Sequence, residues 1–166
     1  MRARSRGRLV AARSVRVGAG ARVRVAPGAR VILGPGVTLG PDCRIEAVAG
    51  EIRVGAGVAV GERAVIVAHA GVEIGERARI GHWAALNDAA PTWDDVETPV
   101  RAQPLRRAPI TVGAGAVLGP HASLGPGARV APGEEIAPYA VVPAPPKPKP
   151  APVRSSPRGA GGGGRR

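Results

Sequence analysis

The chain has 166 residues, with 25 Gly and 18 Pro but no Phe, one Tyr and two Trp, which excludes a core built on aromatics and points to a repeat rich in turns. A single cysteine, Cys43, excludes an internal disulfide, and no apolar run makes a signal peptide or a bilayer span, so a soluble cytoplasmic protein is expected. The net charge of +12 is unevenly placed: +9 over residues 1–41, −3 over 42–142 and +6 over 143–166, so only the ends offer themselves to an anionic partner.

Residues 1–14, with Arg2, Arg4, Arg6, Arg8 and Arg13, read as a basic N-terminal segment. After them an aliphatic residue recurs every six positions: Leu33, Leu39, Ile45; then Val54, Val60, Ile66; then Ile74, Ile80, Leu86. A small residue follows four later in most hexads, as Ala64 follows Val60 and Ala84 follows Ile80. Six is neither a helical period nor simple strand alternation. It suits a short extended segment and a turn, three times per coil, with one large and one small side chain pointing into a narrow prism. Such a prism is too thin for Phe, and its coils stack at the strand spacing of about 4.8 Å. The pattern predicts a parallel β-helix of about five coils over residues 15–142.

The breaks in the period are as regular as the period. Val25 to Leu33 is eight residues, Ile45 to Val54 nine, Ile66 to Ile74 eight and Leu86 to Val112 twenty-six. With one triplet per coil, every insertion falls at the same corner. The longest, residues 87–111, is a loop thrown out from that corner and holds Trp93, Asp94, Asp95 and Glu97. Long loops on rigid scaffolds tend to carry function. The period then resumes without a gap through Val112, Leu118, Leu124, Val130, Ile136 and Val142. Residues 143–166, PAPPKPKPAPVRSSPRGAGGGGRR, are dense in Pro and then Gly, with few apolar residues. They read as a disordered basic tail, able to contact an anionic partner.

The stretch Val72–Gly119, with two IG hexads, a polar loop containing Asp-Asp, a TP…Q segment and a return through ITVGAGAVLG, where the family has IxIG…IGxxA, resembles the hexapeptide-repeat acyltransferases, among them the maltose, galactoside and polysaccharide O-acetyltransferases. Pro138–Val142, PYAVV, is similar to the start of their closing segment. The resemblance implies a left-handed β-helix, a homotrimer, an acyl-CoA co-substrate with no metal, and a saccharide-type hydroxyl as acceptor. It also implies a loop histidine as general base, a task suited to imidazole because it titrates near neutrality. Here the sequence departs from its relatives: Pro91 occupies that histidine's position, Gly61 that of an acceptor-site asparagine, and the closing GNPAK becomes PAPPK.

With Pro91 in place, the base must come from elsewhere. His69 lies three residues after Ile66, and Ala89 three after Leu86, so the register puts His69 one coil below the base of the loop. His69 is the candidate base, with Asn87 and Asp88 near enough to orient it. Arg106 and Arg107 are candidates for the phosphates of CoA, or else partners for the loop's acids. His82 and His121 belong to a different corner, where His121 should stack near Trp83. Three histidines on a β-helix are also similar to the γ-class carbonic anhydrases, but zinc needs its ligands to converge and these fall at two corners. The alternative to an enzyme is a catalytically inactive trimeric scaffold.

Overall fold

A computed structural model describes residues 8–92 and 96–143. Three parallel sheets of six strands each wind around a common axis, and each successive strand moves to the next sheet. The result is a β-solenoid of six coils. The first sheet begins with Leu9–Ala11, the second with Arg16–Val17 and the third with Arg22–Val25. The end coil is therefore built from residues that begin within the expected basic segment, because Leu9 pairs with Val31 and Ala11 with Leu33.

The columns are those the six-residue period requires. Ile74, Val112 and Val130 are in register, as are Ile80, Leu118 and Ile136. Ile66, Leu86, Leu124 and Val142 form the third column. Their small companions Ala64, Ala78, Ala84, Ala116, Ala122 and Ala128 are buried with them. Each fully buried aliphatic side chain contributes about 1.5–3 kcal/mol of hydrophobic stabilisation, and stacking repeats this for every coil.

The glycine that follows the large residue of a hexad has a steric reason. At Gly81 a methyl group would sit 2.6 Å from the carbonyl oxygen of Leu118 in the next coil. Only a residue without Cβ lets the backbones approach this closely.

The three corners differ. Between the first and second sheets the turn residue is mostly glycine, as at Gly36, Gly57, Gly115 and Gly133, all with positive φ. Between the second and third sheets the same left-handed position holds Asp42, Arg63, Trp83, His121 and Tyr139, with φ between 53° and 61°. Between the third and first sheets lie the insertions. The longest leaves after Ala85–Asn87 and returns at Ile110–Val112, and its stem is an antiparallel pair, Ala89–Pro91 with Leu105–Arg107. The expected loop of 87–111 thus begins and ends inside strands, and its base is ordered as a hairpin.

Candidate functional site

The site lies where the hairpin leaves the solenoid. Among the described residues Asp88 is the one buried charged side chain, with no exposed surface. The turn of the preceding coil, His69–Gly71, leaves three consecutive N–H groups pointing toward it. Asp88 Oδ1 accepts from His69 N–H at 2.7 Å, and Oδ2 accepts from Ala70 and Gly71 N–H, each at 2.7 Å. Successive amides of this kind form an anion-binding concavity, here filled by the protein's own carboxylate. Asp88 also uses its backbone: its carbonyl accepts from Ala108 N–H at 3.0 Å, closing the neck of the loop. Neighbouring Asn87 opens the loop by accepting Ala89 N–H on its side-chain oxygen at 3.1 Å. Its exposed side chain orders the turn.

His69 sits against this carboxylate. Its Nδ1 is 3.5 Å from Asp88 Oδ1, and the side chain retains 19% exposure. Among the described residues His69 Nδ1 is the one buried side-chain polar atom without a hydrogen-bond partner. The exposed part of the ring is therefore away from Nδ1. A charge-assisted N–H···O bond spans about 2.7–2.9 Å, so a small ring rotation toward Asp88 would close the contact. The pair is an imidazole backed by a buried carboxylate, with its other edge toward solvent. That arrangement leaves one edge of the ring open to a ligand while the carboxylate lies behind the other.

The other candidates separate. Arg106 and Arg107 lie on the returning stem strand, opposite Ala90 and Ala89. Consecutive strand residues face opposite ways, so the two guanidinium groups serve one face each and do not form a fork. Pro91 is exposed on the same stem, opposite Leu105. Gly61 admits no side chain, since a Cβ there would lie 2.7 Å from the backbone of Gly81 and His82. Within the loop, Gln103 donates to the Thr98 carbonyl at 2.8 Å and Thr92 to the Pro104 carbonyl at 3.0 Å, so the TP…Q segment folds on itself. Trp93, Asp94 and Asp95 lie outside the described residues, as do 1–7 and the tail from residue 144.

His82 and His121 take part in the opposite corner. His82 Nδ1 accepts Glu62 N–H at 3.1 Å. His121 stacks between Trp83 and Tyr139, with ring centroids at 6.0 and 4.7 Å and planes within 5°. Arg63 lies over Trp83 at 5.0 Å, and its guanidinium approaches Asp42 at 3.9 Å. Sequence reasoning placed His82, His121 and Trp83 at this corner but missed Asp42, Arg63 and Tyr139, with which they form one continuous outer ladder. The signal was there: a side chain at the same turn position in five consecutive coils. Cys43, just inside this corner, is buried; burial first, and then the charge of Asp42, push its thiol up to about 11. It is no nucleophile at neutral pH.

Among the described residues no group of three or more His, Cys, Asp or Glu is placed to hold a metal ion, and no helix is long and apolar enough to cross a membrane. No protein-family model and no curated protein matches the chain. Among solved structures it is similar to a hexapeptide transferase family protein from Anaplasma phagocytophilum, at 20% identity over 80% of this chain and 77% of that one, with a TM-score of 0.33.

Proposed function

We propose that the protein is an acyl-CoA-dependent O-acyltransferase acting on a saccharide-type hydroxyl, with His69 as general base and Asp88 as the residue that orients it. The observation that carries this reading is the buried Nδ1 of His69 facing the Asp88 carboxylate at 3.5 Å. The acceptor hydroxyl gives its proton to the solvent-facing nitrogen of His69 as its oxygen attacks the thioester carbonyl. The carbon–sulfur bond then breaks, and the CoA thiolate takes up a proton. Asp88, held by three amides, stabilises the imidazolium formed in between. Arg106 and Arg107, one on each face of the stem, are the nearest candidates for the CoA phosphates, and Asn87 shapes the loop's exit. A cytoplasmic homotrimer, with neighbouring subunits completing the site at the loop corner, fits this reading.

Calorimetric titration with CoA and acetyl-CoA tests the donor half without knowledge of the acceptor. If donor binds, His69→Ala should lower turnover by about 10²–10⁴, with His82→Ala and His121→Ala near wild type. Pro91→His, which restores the residue expected at that loop position, should raise turnover. Failure to bind acetyl-CoA, with no turnover in wild type or Pro91→His, would sink the enzyme. It would leave the second reading, an inactive trimeric scaffold. One observation favours that reading: the three backbone bonds of Asp88 already account for its burial without chemistry. A monomer in light scattering at micromolar concentration would count against both.

A further inference from the structure

We infer that the N-terminal end of the solenoid is a docking surface for an anionic phospholipid bilayer, which it meets end-on. The inference is independent of the catalytic reading.

The first coil differs from the interior coils above it in two ways. The first is charge. Arg13, Arg16, Arg22 and Arg24 are exposed, and Arg8 half-buried, around all three faces of this coil. Among the described residues none of the five has a carboxylate within salt-bridge distance, and no acid precedes Asp42 in the sequence. Arg24 stands in register with Glu46, but that carboxylate is bonded to Arg44. In the next coils the pattern reverses: Arg30 and Arg53 meet Glu51, and Arg63 meets Asp42 and Glu62. The arginines of the first coil are therefore free to meet an external anion.

The second difference is burial. The core columns run down to this end, where among the described residues nothing continues them. Val31, Val37, Leu39 and Ile45 in the second coil are buried. Their counterparts one coil below, Leu9, Val15, Val17 and Val23, are half-buried or exposed, with Val17 at 55%. No described residue covers them. The end is thus an apolar floor inside a cationic collar.

A flat, hydrated, negatively charged surface fits that shape. All five arginines can reach one plane together, and the valines settle among the headgroups. The unpaired backbone groups of the end strands remain in the wet interfacial layer, not in hydrocarbon. Nucleic acid fits less well: the cations wrap a convex end and do not line one face, and no Phe, Tyr or Trp ring for base stacking occurs before Trp83. A second copy docked by the same end would set arginine against arginine.

The test is flotation of the full-length chain with vesicles of phosphatidylcholine alone or mixed with phosphatidylglycerol. Binding to the mixed vesicles only, weakening as salt rises, is expected. Each arginine near an anionic surface should contribute about five-fold. The combined variant R13Q/R16Q/R22Q/R24Q should then bind several hundred-fold more weakly, with its thermal transition unchanged because these side chains are exposed. Val17→Asp should weaken binding further. The basic tail is a built-in control: K147Q/K149Q/R154Q/R158Q should retain most of the binding. The inference fails if the chain does not float with anionic vesicles, if the tail variant and not the collar variant loses binding, or if duplex DNA binds more tightly than vesicles in the same buffer.

Discussion

Two corners of one prism handle the same problem in opposite ways. At the ladder corner the chain turns through a left-handed residue that carries a side chain, and Asp42, Arg63, Trp83, His121 and Tyr139 stack outside the turn. At the loop corner the turn is satisfied from within, by the buried carboxylate of Asp88. The left-handed conformation costs about 1–2 kcal/mol for a residue with Cβ, and ring stacking and cation–π contact return a similar amount. The outer ladder is therefore close to neutral and tolerant of change. The inner cap is not, since removing it strands three part-buried amides at once. A histidine in the first setting is part of a stack; in the second it is held against a carboxylate with one edge free. That contrast singles out His69 from the three histidines.

The contrast can be broken most directly at Asp88. Asp88→Ala leaves the amides of His69, Ala70 and Gly71 without partners and should cost about 3–5 kcal/mol, read as a lowered midpoint in denaturant unfolding. A loss under about 1 kcal/mol would mean that water replaces the carboxylate and that the inner cap is not structural. His69→Ala should leave that midpoint nearly unchanged, because the imidazole contributes no hydrogen bond to the cap. The two variants together separate the structural carboxylate from the chemical imidazole.

A pH scan probes the inner side of the ladder corner. The Cys43 thiol in the folded chain is pushed up to about 11 from its ordinary value near 9. In the unfolded chain the thiol loses its proton first as pH rises, so stability should be flat below about pH 9 and fall between 9 and 11. The slope should be at most about 1.4 kcal/mol per pH unit. Cys43→Ala should remove it; a slope that survives the substitution assigns it to other groups.

Trp83→Ala removes both the His121 stack and the Arg63 contact, and should cost about 1–1.5 kcal/mol. A cost near that of Asp88→Ala would erase the distinction between the corners. Tyr139→Gly should be the smallest change. It gives up one stack but relieves a residue held at φ 61°, and the two effects should cancel to within about 0.5 kcal/mol. Calorimetric melting of this variant beside wild type measures the balance.

The six-residue period was enough to define the three faces, the core columns, the corner that takes the insertions and the placement of His121 near Trp83. Each of these follows from in-register parallel stacking, which converts sequence spacing directly into position. Even the sixth coil was legible, since Leu9, Val15 and Ala21 keep the step of six; the surrounding arginines hid it. What only the tertiary structure decided lies at the corners, where spacing no longer says which way a side chain turns. Asp88 and Asn87 are adjacent polar residues at the start of one loop, yet one is buried and the other exposed. The difference comes from the preceding coil, whose turn at His69–Gly71 presents three amides that the inward-facing carboxylate of Asp88 satisfies. The hairpin stem likewise depends on Ala89–Pro91 meeting Leu105–Arg107 across a loop with no period of its own. Burial of Asp88 against those amides is what sets a carboxylate beside His69, the candidate base that the register already named.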